Sequence, residues 1–329
     1  MPTVSIIVPC YNEEKRIRTL LDALFAQTYP HHDLEIIIAD GHSTDRTREE
    51  IAAFQAAHPE LNLRVIDNDA RSIPAALNRA IEAATGEIIV RLDAHSAPYP
   101  DYVEKSVSNL RAGLGQNVGG VWEIRPGAET WIGRGIAAAA AHPLGVGDAL
   151  YRHATQAAAV DTVPFGCFYR ATWEQIGKFD ERLLTNEDYE FNARIRLAGG
   201  RIWLDPTIRS IYFARGTLGA LARQYWRYGF WKWQMLRRYP KTLRWRQAIP
   251  PLFVLSLLGG AALAWVDVIR ALLLVEVALY VTVLMLASLW TAVQRRDFSL
   301  ILGLPLAIAT KHLAWGAGFL WSLFFGRTR

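Results

Sequence analysis

Between Val4 and Val90 the spacing of the apolar residues changes repeatedly, and that alternation restricts the fold more than any other feature of the chain. A short β-branched run, Val4 to Pro9, gives way to the polar loop Tyr11-Asn12-Glu13-Glu14 and then to Ile17, Leu20, Leu21 and Leu24, which share one helix face. The cycle returns with Leu34 to Ala39 as strand, Asp40-Gly41-His42-Ser43-Thr44-Asp45 as loop and Arg46 to Ala57 as helix. It returns again with Leu63 to Ile66 and the helix Pro74 to Ala84. A fourth strand lies in Glu87 to His95, EIIVRLDAH, which ends in Asp93, Ala94 and His95. Strands alternating with helices of about a dozen residues predict an α/β fold with a mainly parallel sheet covered by helices on both faces. Such sheets bind ligands at the carboxyl ends of their strands, so Pro9 to Glu13, Asp40 to Asp45, Asp67 to Arg71 and Asp93 to His95 are expected on one rim.

The chemistry of that rim is specific in places. Asp40 ends a buried strand, where a carboxylate can accept hydrogen bonds from a base or a ribose; Ser43, Thr44 and Asp45 suit a turn and a helix N-cap equally well. Asp93 alone is also a plausible strand-end cap, but His95 two residues on makes the pair a place to hold a divalent cation. Beyond the rim, Asp101 to Asn109 reads as helix and Val118 to Ile124 as strand. Gly127 to Thr162 is irregular and is expected to form a mobile segment shaping an acceptor side. Asp161 to Arg170 reads as a strand broken by Gly166, and Trp173 to Phe179 as a short helix. Asn186-Glu187-Asp188 opens the helix Tyr189 to Leu197, where carboxylates also serve to cap and to oppose the helix dipole. Arg201 to Leu204 and Ile208 to Phe213 read as two strands flanking Pro206.

The remainder is written for another solvent. Leu218 to Tyr239 is a helical stretch in which Arg227, Lys232, Arg237 and Arg238 alternate with Trp226, Trp231 and Trp233, and the basic and aromatic pattern continues through Lys241, Arg244 and Trp245. With a net charge of only +5, that interleaving suits lipid headgroups at a membrane surface and argues against nucleic acid as a partner. Three apolar blocks follow, Ile249 to Trp265, Leu272 to Val293 and Leu300 to Phe325. The first two are expected to form a transmembrane hairpin that returns Arg295 and Arg296 to the cytoplasm. The third either spans, which places Arg327 and Arg329 outside, or lies in the interface with Lys311 turned to water. Lys311 and His312 suit an acceptor's phosphates or plain helix packing. The two cysteines, Cys10 and Cys167, lack metal spacing and imply no disulfide framework. No cleavable signal is read at the N-terminus, so a multi-pass protein of the inner membrane with its large first domain in the cytoplasm is expected.

VSIIVPCYNEE, IIIADGHSTDRT, GEIIVRLDAHS and NEDYEFNARIRLAGGRIWLDP occur in that order over Val4 to Pro206, and together they resemble family 2 glycosyltransferases of the GT-A fold, most of all the membrane-associated succinoglycan and exopolysaccharide type. The resemblance implies a nucleotide sugar, a UDP-hexose by expectation, with Pro9, Tyr11, Glu13 and Asp40 around the uridine and Arg71 and Asn78 nearby. It implies that Asp93 and His95 hold Mn²⁺ or Mg²⁺, His95 standing where the family places a second aspartate. A neutral imidazole suits Mn²⁺ better than the harder Mg²⁺. It implies that Asp188, beside Glu187, is the catalytic base that deprotonates an acceptor hydroxyl, with inversion at the anomeric carbon. Gln224 and Arg227 match imperfectly a Gln-x-x-Arg-Trp signature of processive members, and Arg227 would contact the diphosphate.

The domain reading is therefore residues 1–215 as the GT-A catalytic domain, 216–246 as an amphipathic interfacial segment and 247–329 as a membrane domain of two to three helices. The acceptor implied is a glycan on polyprenyl diphosphate. Two other readings use the same residues. Transfer to a polyprenyl monophosphate would make a lipid-linked sugar donor and need no base at Asp188. A membrane sensor or scaffold would bind nucleotide sugars without turnover.

Overall fold

The computed structural model describes residues 3–147 and 149–326, which fall into two units. In chain order the elements are β1 (Val4–Cys10), α1 (Ile17–Phe25), β2 (Leu34–Asp40), α2 (Thr47–Ala57), β3 (Leu63–Asp67), α3 (Ile73–Ala83), β4 (Ile88–Arg91), β5 (Ser96–Pro98), α4 (Tyr102–Arg111), β6 (Asn117–Arg125), α5 (Trp131–Ala141) and α6 (Pro143–Val146). There follow β7 (Ala158–Val160), β8 (Cys167–Tyr169), α7 (Arg170–Ile176), α8 (Glu187–Leu197), β9 (Ile202–Phe213), α9 (Leu218–Arg238), α10 (Trp245–Ala262), α11 (Asp267–Arg295) and α12 (Leu300–Phe325). One unit holds residues 3–123 and 149–212, and the other holds 124–147 and 213–326.

The first unit is built on a nine-stranded sheet in the order β3-β2-β1-β4-β8-β6-β9-β5, with β7 paired to β9. The strands of the three cycles and β4 pair in parallel, as their spacing predicts. The other half is antiparallel, β8 running against β4 and β6, and β5 and β7 against β9. The sheet is thus mixed, parallel from β3 to β4 and antiparallel beyond. Every residue of β1 and β2 is buried. Ile6, Val8, Ile36 and Ile38 face one core with the predicted Ile17, Leu20, Leu21 and Leu24 of α1. Ile7, Ile37 and Ala39 face the other with Leu77, Ala80 and Ile81 of α3 and Phe191 and Ile195 of α8. Burial on both faces explains why these strands read as unbroken apolar runs.

Two expectations are corrected here. Pro206 does not separate two strands; β9 is continuous, and Pro206 falls between the residues paired to β7 and those paired to β5. Asp205 Oδ1 accepts the Thr207 N–H at 2.8 Å across the proline, which keeps the chain extended where the ring offers no donor. The stretch expected to be irregular and mobile between Gly127 and Thr162 instead contains α5 and α6. Its Ala and Gly residues carry no polar and apolar contrast, but they let helices approach closely: a Cβ on Gly135 would stand 2.4 Å from the carbonyl carbon of Gly303 in α12.

In the second unit α12 packs against α5, α9, α10 and α11. Among the described residues, α11 and α12, of 29 and 26 residues, are long and apolar enough to cross a membrane, with 11% and 39% of their apolar stretches buried. α10 interrupts its 18 residues with Pro250 and Pro251 and is not one of them. The pair of candidate spans is therefore the second and third apolar blocks, with Arg295 ending α11 and Arg296 just beyond it. Lys311 is not turned to water. It is 1% exposed, donates to the Ala139 carbonyl at 2.8 Å and lies 4.9 Å from the centre of the Tyr225 ring. His312 sits 3.0 Å from the Tyr280 hydroxyl and 2.8 Å from the Leu144 carbonyl. Arg327 and Arg329 lie outside the described residues.

Glu35 is a charge inside β2 that the apolar pattern conceals. It is 1% exposed and accepts from the Ser5 hydroxyl at 2.6 Å, the Gly86 N–H at 3.0 Å, the Thr85 N–H and hydroxyl, and Arg64 at 3.0 Å. Burial works to raise its pKa, but the donors from Ser5, Thr85 and Gly86 outweigh it and hold the carboxyl below its ordinary 4.5. A lowered folded-state value means that this stability is present above pH 4.5 and is lost as pH falls through the folded value. Glu35→Gln should cost roughly 1–3 kcal/mol at pH 7, and thermal unfolding of the detergent-solubilised chain should show a weaker loss of midpoint on acidification than the wild type shows.

Candidate active site

The register of the parallel strands sets the rim. Cys10 lies opposite Asp40, and Asp40 opposite Asp67, so the loops after β1, β2 and β3 leave the sheet at one level. Tyr11 is 48% exposed just past β1. Gly41 lets the neighbouring loop approach it closely, since a Cβ there would stand 3.3 Å from the Tyr11 ring and 3.6 Å from the Arg71 backbone. Tyr11, Gly41 and Arg71 thus converge, and Arg71 is exposed with φ +50. Pro9 is buried within β1 opposite Ala39.

Asp40 is fully buried, and its oxygens accept from the Ser43 N–H at 3.0 Å, the Ser43 hydroxyl at 2.5 Å and Arg48 Nε at 2.5 Å. Arg48 also pairs with Asp67. The carboxylate expected to meet a base or ribose is thus engaged in shaping the loop after β2. Arg48 is the residue that sequence reading passed over, hidden as an ordinary solvent-facing charge in the first turn of α2. Asn78 is likewise committed: its amide donates to the Phe179 carbonyl at 3.0 Å and Glu181 at 2.8 Å, and its oxygen accepts the Phe179 N–H at 2.9 Å. It is a buried latch between α3 and the segment that leads to α8.

At the end of β4 the charges concentrate. Arg91, 4% exposed, donates through Nη2 to Glu187 at 2.8 Å and to Asp93 at 3.2 Å. Asp93 begins a tight turn in which its carbonyl accepts the Ser96 N–H at 2.9 Å and the Ser96 hydroxyl at 2.7 Å. Asp188, next to Glu187 in the first turn of α8, accepts the Tyr189 N–H at 2.7 Å and remains partly exposed. Burial raises the pKa of both Glu187 and Asp188; Arg91 opposes this, Asp93 adds to it for both, and Asp188 adds to it for Glu187. Burial also works against the charge on Arg91, yet Asp93, Glu187 and Asp188 together hold it firmly protonated. Both cysteines are buried and free, with thiols pushed up by burial.

His95 stands 3.1 Å from Glu13 Oε1 through Nδ1. A carboxylate there accepts a hydrogen bond from Nδ1–H, which favours the neutral tautomer with its lone pair on Nε2, the one in which an imidazole binds a metal. Asp93 is 25% exposed and His95 34%. One carboxylate and one oriented imidazole fit a divalent ion of borderline hardness such as Mn²⁺. Among the described residues no group of three or more His, Cys, Asp or Glu side chains is placed to enclose an ion alone, so substrate oxygens and water would complete the coordination. Gln224 and Arg227 are carried by the second unit, on α9, where Gln224 donates to the Tyr228 hydroxyl at 3.1 Å and Arg227 is exposed.

The chain is 27% identical over 338 residues, spanning 100% of it and 99% of the relative, to a dolichyl N-acetyl-alpha-D-glucosaminyl phosphate 3-beta-D-2,3-diacetamido-2,3-dideoxy-beta-D-glucuronosyltransferase of Methanococcus voltae. It is 29% identical over 317 residues, 95% of it and 93% of the relative, to the succinoglycan biosynthesis protein ExoA of Rhizobium meliloti (strain 1021). Its fold is similar to that of a mannosyltransferase from Pyrobaculum calidifontis solved with GDP-Man and Mn²⁺, at a TM-score of 0.61 and 24% identity, covering 95% of this chain and 87% of that one. It is also similar to S. aureus TarS residues 1–349 with UDP-GlcNAc, at 0.53 and 17%, covering 96% and 90%. Residues 5–175, more than half of the chain, match Glycosyl transferase family 2. With its rim loops, the Asp93 turn and the Glu187-Asp188 pair carried on a GT-A-like sheet, the chain belongs to glycosyl transferase family 2.

Proposed function

We propose that the protein is an inverting, metal-dependent hexosyltransferase that moves a sugar from UDP to a polyprenyl-diphosphate-linked glycan at the inner membrane, in the assembly of a polysaccharide. The observation that carries the reading is the meeting of Asp93 and Glu187-Asp188 around one guanidinium, because transfer needs a donor-side and an acceptor-side carboxylate within reach of one bond. The UDP-sugar bound by one structural neighbour and the lipid-phosphate acceptor named for one relative support the donor and acceptor classes. The candidate spans α11 and α12 support a membrane-held substrate, with the catalytic unit cytoplasmic.

In this reading Tyr11, Arg71 and the loop shaped by Asp40 and Arg48 seat the nucleoside, with Pro9 at the floor and Glu13 orienting His95. Asp93 and His95 would hold a divalent cation, which when bound would neutralise charge on the diphosphate. Asp188 accepts the proton of the acceptor hydroxyl while that oxygen bonds to the anomeric carbon and the nucleoside diphosphate departs from the opposite face. Glu187, tied to Arg91, keeps the first turn of α8 in place.

Asp188→Asn should lower turnover by roughly 10²- to 10⁴-fold, the usual share of a general base, and leave UDP binding within a few-fold of wild type. The check is UDP release in the presence of Mn²⁺ and a polyprenyl-linked glycan. Release that polyprenyl monophosphate supports equally in wild type and variant would overturn the assignment.

The pH profile carries a sign. Because burial raises Asp188 above its ordinary 3.8 and the base must be ionised, kcat should fall on acidification with an apparent pKa above 3.8. Measured at saturating metal and substrates, an acid limb at or below that value would contradict the role.

A further inference from the structure

Arg91, buried, and Arg194, partly buried, differ in a telling way in the catalytic unit. Arg194 is saturated: it donates to both oxygens of Glu190 and to the carbonyls of Ile176, Gly177 and Lys178, and so locks the turn before α8. Arg91 is not. Only Nη2 is engaged, at 2.8 Å from Glu187 and 3.2 Å from Asp93, while Nε and Nη1 are buried without a hydrogen-bond partner in the structure. A half-paired guanidinium that is 4% exposed weakens a fold relative to an apolar side chain of the same volume, so packing alone does not account for it. Its position does. Arg91 is the last residue of β4, held opposite Ile7 in the sheet, and its backbone N–H donates to Gly166 at 2.9 Å, so the guanidinium is aimed from a rigid element.

We infer that Arg91 is a positioning residue for sugar transfer: one nitrogen spans Asp93 and Glu187, and so fixes the cation-holding carboxylate against the first turn of α8 that carries Asp188. The inference deepens the proposed function, resting on its assignment of Asp93 to the donor side and Asp188 to the acceptor side. Two consequences follow from a shared nitrogen. A shorter cation keeps the charge but loses the span. Removing the charge of Glu187 leaves Nη2 to Asp93 alone, where it competes with the bound cation, so an acceptor-side substitution reaches the metal through Arg91.

The experiment uses the full chain in detergent. Calorimetric UDP binding is measured without metal and across a Mn²⁺ titration, beside turnover, for Arg91→Lys, Glu187→Gln and Asp188→Asn. Arg91→Lys should bind UDP without metal within about threefold of wild type, and lose at least tenfold in kcat, since small misplacements of reacting groups cost one to two orders of magnitude. Glu187→Gln should raise the Mn²⁺ concentration for half-saturation of UDP binding at least fivefold more than Asp188→Asn does, although both remove one negative charge. Wild-type kcat in a folded Arg91→Lys, or equal Mn²⁺ dependence in the two carboxylate variants, would overturn the inference. If Arg91→Lys does not fold, the Mn²⁺ comparison decides alone. Retained turnover in Asp188→Asn would instead defeat the base assignment and leave the Arg91 comparison standing.

Discussion

The site depends on a register. Because β1 is buried on both faces between β2 and β4, its side chains cannot slip by one residue without reversing both cores. That constraint puts Cys10, Asp40 and Asp67 side by side and sends three loops off the same edge. Aliphatic packing thereby positions polar chemistry: Ile6 and Ile36 in one core and Ile7 and Ile37 in the other hold the carboxylate of Asp40 where Arg48 and Ser43 can organise the rim. The same edge receives Arg91 from β4 and, across the sheet, the first turn of α8.

The parallel half of the fold was legible because both its periods are strong. The four apolar positions of α1 are the four it buries, and strand and helix limits fall within a residue or two of their expected places. In the antiparallel half β6, β8 and the two ends of β9 were also legible, but β5 and β7 were not, being three residues each and too short to show alternation. α5 escaped for the opposite reason, its Gly and Ala run having no contrast to display. Pro206 misled because it can stay within an extended strand where a neighbouring aspartate bridges the gap.

At the site, the carboxylates were visible as sequence and the arginines were not. Asp93 and Asp188 stand at the end of a strand and the start of a helix, where a pattern reader looks. Arg91 sits inside an apolar run and Arg48 in an amphipathic helix, and only three-dimensional placement shows what each bridges. Asn78 was named only through the family resemblance, and its partners here, Phe179 and Glu181, lie a hundred residues away. In the second unit Lys311 shows the same limit: a charge in an apolar helix marks either water or a partner, and here the partner is the Ala139 carbonyl.

In the proposed transfer an acceptor oxygen attacks opposite the departing diphosphate with no covalent intermediate on the protein. The most direct measurement is the anomeric configuration of the product formed from an α-linked UDP-sugar and a polyprenyl-diphosphate-linked glycan, read by NMR on the isolated glycolipid. A β-linked product is the result predicted; an α-linked product would contradict the single-displacement geometry assigned to Asp188.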